Sequence, residues 1–288
     1  MPNGLVRSQS ITIRALSAAG YRVGLTGTAN IRIGAQERLN EYHMTMPGRF
    51  AIQRLLARMV EAGCTHAVIE TPSEGVEQSR HRAIAYDVAV FTTLYPEYLA
   101  VHGWSFERCK QMHQQVFAQL HAQTRKMLRG AAVDKIIVAN ADSPDRDLFL
   151  SFPADRKVTY GFSAPEATIK GSDVQSSPGG VSFVVDRRRY RLQLLGAFNA
   201  MNALAALATA VSLGVESDVI EKGLAALPVV PGRMERIDAG QRFTVLVDYA
   251  HDSVSIAQAL AAVRDSGARN IIVVLGAEGG GRDKRKRP

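Results

Sequence analysis

The chain has 288 residues, enough for one large domain or two ordinary ones, and its 46% hydrophobic and 22% charged residues are those of an ordinary globular protein. With only two cysteines, Cys64 and Cys109, a disulfide framework is not implied, and a reducing cytoplasm fits. A formal net charge of +8 suits phosphate, nucleic-acid or anionic-membrane partners, and equally suits arginines scattered over solvated faces.

Residues 1–10 are polar and lack the apolar core of a secretory signal. Residues 11–19 read as a helix ended by Gly20, residues 22–26 as a strand, and residues 50–62 as an amphipathic helix that stops at Gly63. Residues 65–70 form a short apolar strand that ends on a carboxylate. Residues 87–91 and 135–139 read as further buried strands. Short apolar strands separated by helices imply a mostly parallel sheet covered on both faces. Ligands of such sheets bind at the carboxyl ends of the strands, which nominates Glu70, Thr92 and Asn140.

From about residue 157 to 195 the pattern shifts to short alternating runs, such as 181–186 and 190–194. The turn residues Ser177-Pro-Gly-Gly180 suggest a small antiparallel hairpin. Residues 192–215 are rich in Ala and Leu over a membrane-spanning length. Gln193, Asn199, Asn202, Thr209 and Ser212 interrupt them, so a buried helix is expected, because polar groups are costly in lipid. Residues 228–232 read as a linker. A strand at 244–249, a helix at 255–266 and a strand at 270–275 then form a βαβ unit that starts a second, Rossmann-like α/β domain.

Three segments stand in one order and spacing: Val230-Pro-Gly-Arg-Met-Glu235, Val247-Asp-Tyr-Ala-His251, and Gly276-Ala-Glu-Gly-Gly-Gly-Arg-Asp-Lys-Arg-Lys-Arg-Pro288. Upstream lie Thr45-Met-Pro-Gly-Arg-Phe50, Glu70-Thr-Pro-Ser-Glu-Gly75, Asn140-Ala-Asp-Ser-Pro144 and Gly196-Ala-Phe-Asn-Ala-Met-Asn-Ala-Leu-Ala-Ala206. Together these resemble the Mur ligase family, and its MurE branch most closely. The resemblance implies a P-loop-like central ATP-binding domain over residues 1–230 and the start of the C-terminal domain over 231–288. The domain that holds the UDP end of the substrate is expected to be absent. Implied function is an ATP-dependent carboxylate–amine ligase of peptidoglycan precursor synthesis, cytoplasmic, with ATP and Mg²⁺ as cofactors. Its partners would be a UDP-muramyl peptide and an amino acid, joined through an acyl phosphate, with neither nucleic acid nor membrane involved. Taken alone, the basic run at 282–287 suggests a nucleic-acid tail, but its match to the family pattern makes it a phosphate-facing loop.

Carried over residue by residue, the resemblance makes Glu70 the magnesium partner, a solvated strand-end acid being the alternative. Asn3 and Gly4 fall on the phosphate-loop turn, and Asn199 and Asn202 on adenine-side contacts, with helix capping as the alternative. Arg233 falls on a hinge or nucleotide arginine, and Asp248 and His251 on the ATP-contacting pair. Thr45, Ser73, Arg80 and Arg282 fall on substrate contacts, although a surface arginine would also explain Arg80. Several family positions are altered. Leu5 stands where the loop lysine belongs and Val6 where the metal-binding threonine belongs. Pro72 replaces a serine, Thr93 an asparagine and Tyr98 a metal-binding histidine. His113 falls on the lysine that carries a carbamate, which imidazole cannot form, while Lys110 lies nearly one turn earlier. These differences define the alternative function, a non-catalytic relative with at most weak nucleotide binding.

Overall fold

The protein is represented by a computed structural model, which describes residues 2–42, 44–95, 105–128, 130–227, 232–250 and 253–276. Helix α1 (Pro2–Ala18) opens the fold well before the expected residue 11, and it ends where the sequence indicates. Gly20 takes φ +82°, a left-handed conformation that suits glycine, and the Tyr21 amide bonds back to the Leu16 carbonyl. Strand β1 (Val23–Thr26) is buried throughout. It pairs antiparallel with β2 (Asn30–Ile33), whose other edge carries the exposed β3 (Gln36–Leu39). This hairpin was not foreseen in the sequence.

Helix α2 (Arg49–Glu61) buries Ile52, Leu55 and Met59, as its apolar spacing requires. Strand β4 (His66–Ile69) follows and lies parallel to β1, from Val23 opposite His66 to Thr26 opposite Ile69. The first sheet therefore runs β3-β2-β1-β4. Next come α3 (Ser73–Glu77), β5 (Val88–Phe91), α4 (Phe106–Ala122) and a two-residue ladder of β6 (Met127–Leu128) with β7 (Ala131–Ala132). The Ser105 hydroxyl caps α4 by accepting from the Arg108 amide at 3.2 Å.

Strand β8 (Ile136–Asn140) is buried at every position, as a strand covered on both faces should be. After α5 (Arg146–Leu150) come β9 (Arg156–Gly161), β10 (Ile169–Ser177), β11 (Gly180–Val185) and β12 (Arg188–Leu192). The second sheet runs β12-β11-β10-β9-β8-β5. Its β5–β10 part is parallel and its outer two pairings are antiparallel. The antiparallel hairpin expected at Ser177–Gly180 is present, closing β10 onto β11, and a second hairpin joins β11 to β12. The turn between β11 and β12 is Asp186-Arg187, both at positive φ (47° and 66°), the hand that matches strand twist in a tight hairpin.

Helix α6 (Phe198–Ser212) is the Ala-rich stretch. Twelve of its 15 residues are buried, so it is a core helix. Thr209 donates to the Ala205 carbonyl and Ser212 to the Thr209 carbonyl, which satisfies both hydroxyls inside the helix. It packs with α1 and α7 (Ser217–Ala225) over the second sheet. Ile11, Leu16, Val138, Tyr160, Phe183, Tyr190, Leu204, Leu207 and Leu224 share that core. A second cluster on the opposite face gathers Phe91, Phe117 and Phe149, with the Phe91 and Phe149 rings stacked 4.0 Å apart.

The final segment departs from expectation. Strand β13 (Glu235–Ile237) pairs antiparallel with β14 (Val245–Val247), and α8 (Ser253–Asp265) follows. Residues 270–275, expected as a strand, form none, and Ile272 and Val274 are each 92% exposed. No helix among the described residues is long and apolar enough to cross a membrane.

Candidate functional site

Glu70 follows β4 directly, and its amide bonds to the Thr26 carbonyl, continuing the β1–β4 ladder by one step. It is 6% exposed, so the solvated strand-end reading is overturned. One carboxylate oxygen, Oε2, accepts from the Thr28 amide at 2.8 Å and from the Thr28 hydroxyl at 3.0 Å. That hydroxyl also lies 3.0 Å from the Thr45 hydroxyl. Burial pushes the Glu70 pKa up, and this outweighs the two Thr28 bonds and the positive charge of Arg233, which pull it down. Gly27 makes the close approach possible. A β-carbon there would stand 2.8 Å from Gln9 Oε1 and 3.2 Å from Glu70 Oε2. Gln9, buried on α1, is thus a site residue that the sequence did not single out; its uncharged polar side chain carries no pattern of its own.

Arg80 is 8% exposed and is no surface arginine. Its guanidinium donates to the Met46 carbonyl and to Gln78 Oε1, and Met46 is itself fully buried. Arg80 therefore clasps the segment just before α2 at Met46, next to Thr45. Ser73, at the start of α3, hydrogen-bonds to Cys109 of α4, whose thiol is pushed up by burial. His113 lines the same cavity as Glu70, Ser8, Gln9 and Thr92. Lys110 is committed elsewhere, to Asp145 at 2.9 Å and Glu107 at 3.3 Å, which raise its pKa and hold it protonated; a protonated amine cannot carry a carbamate.

Among the topologically nominated residues, Asn140 donates to the Thr92 carbonyl at 2.8 Å and accepts from the Asp142 amide at 3.0 Å. Asp142 in turn accepts from the amides of Phe162, Ser163 and Ala164. This cluster locks the ends of β5, β8 and β9 together. Asn199 and Asn202 are turned inward, at 1% and 5% exposure. The chain of bonds runs from Ser8 Oγ to Asn202 Oδ1, from Asn202 Nδ2 to Asn199 Oδ1, and from Asn199 Nδ2 to the Leu195 carbonyl. They tie α6 to α1, and neither side chain caps that helix.

Arg233 is buried, stacks 4.8 Å over the Tyr249 ring, and lies close enough for its charge to act on Glu70. Asp248 accepts from the Met234 amide at 2.7 Å and from the Ala250 amide at 2.8 Å, fixing the Arg233 segment against the strand that follows it. Asn3 and Gly4 lie within α1, so the expected turn is helical backbone, and the side chains of residues 2–7 lie outside the described residues. Tyr98, His251 and Arg282 also lie outside them.

The donor chemistry can be tested against the two implied cofactors. No group of three His, Cys, Asp or Glu gathers among the described residues. Magnesium does not need one. It commonly takes one or two carboxylates and completes its shell with water and phosphate oxygens, so Glu70 flanked by two hydroxyls fits a minimal site. The phosphate cradle fits poorly, because Leu5 and Val6 supply neither cation nor hydroxyl and Asn3-Gly4 is helical.

Comparison with known proteins follows the same lines. Residues 9–210 match the Mur ligase middle domain and residues 232–288 match the Mur ligase, glutamate ligase domain. The chain is 38% identical over 297 aligned positions to the UDP-N-acetylmuramyl-tripeptide synthetase of Roseiflexus sp. (strain RS-1), covering 99% of this chain and 57% of that protein. It is 34% identical to the UDP-N-acetylmuramoyl-L-alanyl-D-glutamate--2,6-diaminopimelate ligase of Geobacillus thermodenitrificans (strain NG80-2), with the same coverage of both chains. A solved ligase of that same name superimposes with a TM-score of 0.72 at 25% identity, over 98% of this chain and 55% of its own. The chain thus spans little more than half the length of the relatives it matches. With both segments matched in order over most of its residues, it belongs to the Mur ligase family.

Proposed function

We propose that this chain is the central portion, and the beginning of the glutamate-ligase portion, of a MurE-type ligase, with the boundary near residue 230. Such a ligase adds an amino acid to a UDP-muramyl peptide at the expense of ATP. The observation that carries this reading is the Glu70 site: a buried carboxyl at a strand's end, braced by Thr28, with Thr45 beside it and Arg233 near. It stands in a chain alike over 99% of its length to proteins named for that activity.

In this reading ATP supplies the phosphoryl group that activates a carboxylate, and Mg²⁺ supplies the positive charge beside it. Glu70 would hold the metal, and an adjacent cation would draw its raised pKa back down and free its proton. Thr28 holds the carboxylate in one rotamer through two bonds, so its free oxygen keeps a fixed direction. Arg80 holds the backbone at Met46, next to Thr45, which would face the substrate side. Ser73 and His113, on neighbouring helices, would contact substrate and metal-side groups; Asp248 and His251 would hold nucleotide, and Arg282 would face substrate.

One observation favours a second reading, a non-catalytic relative. The positions that most need a cation and a hydroxyl hold Leu5 and Val6, within a helix that starts at Pro2. A single assay separates the two. The protein is mixed with ATP, Mg²⁺, UDP-muramyl dipeptide and candidate amino acids, and phosphate release is followed. Release that requires both acceptor and amino acid supports the ligase. Its absence, together with Mg²⁺ binding that is lost in Glu70→Gln, supports the non-catalytic relative.

A further inference from the structure

Ser8, Gln9 and Thr12 of α1 are polar and buried, at 6%, 8% and 8% exposure. Two of them are satisfied inside the fold. The Ser8 hydroxyl donates to Asn202 Oδ1, and the Thr12 hydroxyl donates to the Ser8 carbonyl. The Gln9 carboxamide has no hydrogen-bond partner among the described residues. A buried polar group left in that state marks a place where something else is held. The surroundings of Gln9 narrow the choice. Gln9 Oε1 and Glu70 Oε2 flank one point, at 2.8 Å and 3.2 Å from where a Gly27 β-carbon would stand. Glycine thus leaves a small gap with an acceptor oxygen on either side. Glu70 Oε2 is already the acceptor of both Thr28 bonds, and an ionised carboxylate has no proton to donate to Gln9. Oxygen facing oxygen at such a gap is repulsive until a positive charge is placed beside both.

We propose that Gln9 lends its Oε1 to the cation held by Glu70, as the second protein oxygen of that divalent site. The inference rests on the reading of Glu70 as the metal-holding carboxylate, and it adds a residue that no motif in the sequence marks. Amide carbonyl oxygens are ordinary ligands of hard divalent cations. An amide differs from a second carboxylate in one respect: it contributes an oxygen and no charge. The positive charge of Arg233 already acts on Glu70, so Glu70 and Gln9 together offer a divalent ion little net negative charge. The bare ion is therefore held weakly, and the strength of the site depends on what stands at position 9. Gln9 reaches the site from α1, whereas Glu70 follows β4, so the cation would also fasten that helix to the sheet edge.

The test uses the full chain and Mn²⁺ as a stand-in for Mg²⁺, with free and bound ion separated by electron paramagnetic resonance. Gln9→Leu, similar in volume but without the oxygen, should weaken Mn²⁺ binding by about tenfold. Gln9→Glu, which keeps the oxygen and adds a charge, should tighten it by about tenfold. Mg²⁺ should displace the Mn²⁺ in each case. Should Gln9→Leu lower the thermal midpoint, the sign of the Gln9→Glu effect still decides. Weaker binding in Gln9→Glu would mean that the amide donates its N–H to the Glu70 carboxylate, and overturns the proposal. Unchanged binding in Gln9→Leu, with binding lost in Glu70→Gln, overturns it and leaves the metal role of Glu70 standing. A parent chain that binds no Mn²⁺ overturns both. The ligase reading is decided separately, by phosphate release that depends on the amino acid.

Discussion

A buried carboxyl held by one threonine makes Glu70 the titrating group whose behaviour is most open to measurement. Its pKa is raised, and desolvation is the dominant cause. Below its ordinary value of 4.5 it is protonated in the folded and unfolded chain alike and contributes nothing to pH dependence. Above that value the unfolded chain releases the proton while the folded chain keeps it, so stability falls as pH rises towards the folded pKa. Beyond that pKa the penalty is constant. Glu70→Gln keeps an acceptor for Thr28 and removes the charge. Urea unfolding should therefore show the variant gaining on the parent protein as pH rises from 4.5, and a difference that stays flat with pH would contradict the assignment. Mg²⁺ should narrow the gap by stabilising the ionised parent. The carboxylate at the end of a strand was legible in the sequence because topology points there. Arg80, Asn199 and Asn202 were not, because a pattern of residue types does not say whether a polar side chain faces a ligand or a neighbouring helix.

Among the elements, the β10–β12 region gives the clearest local rule. Gly180 takes φ +128°, and a β-carbon there would stand 2.0 Å from the Leu192 carbonyl oxygen, which is backbone and cannot swing away. Gly180→Ala should cost at least about 2 kcal/mol, combining backbone strain with overpacking. Thermal unfolding would record this as a lowered midpoint, and an unchanged midpoint would mean that the hairpin has another register. The sequence located the Ser177–Gly180 turn of this region but not the turn after it. Glycine and proline are strong turn signals, and they hid the Asp186-Arg187 turn, which uses the same left-handed backbone without glycine. Helix α1 was foreseen from residue 11 although it starts at Pro2, because Asn3 and Gly4 read as a loop and the family resemblance reinforced that reading. The short β2–β3 hairpin went unseen: Gln36–Leu39 is exposed at every position and so has no inward-facing alternation.

For the molecule as a whole, most of the parallel strands, the buried Ala-rich helix and the change of pattern near residue 157 were legible, since each is written as continuous apolar runs or strict periodicity. The division into two sheets was not, because it depends on which strands meet. The βαβ reading of residues 244–275 also failed there. Its last segment, Ile271 to Leu275, has the composition of a strand but pairs with none among the described residues, and it leaves Ile272, Val274 and Leu275 at 92%, 92% and 64% exposure. Contiguous exposed apolar residues of high β propensity promote association. Replacing Ile272 and Val274 with lysine should raise the concentration at which the chain stays monodisperse in light scattering, without lowering its thermal midpoint. A drop in midpoint would show that these residues are packed in solution.

Arg233, in the stretch that matches the glutamate ligase domain, acts on the charge state of Glu70 in the stretch that matches the middle domain. Coupling of this kind runs both ways. Whatever ionises Glu70 strengthens its grip on the guanidinium, and whatever draws the guanidinium away makes the carboxyl harder to ionise. The ionisation of Glu70 and the seating of the segment around Tyr249 are thereby two readings of one electrostatic balance, each able to report on the other.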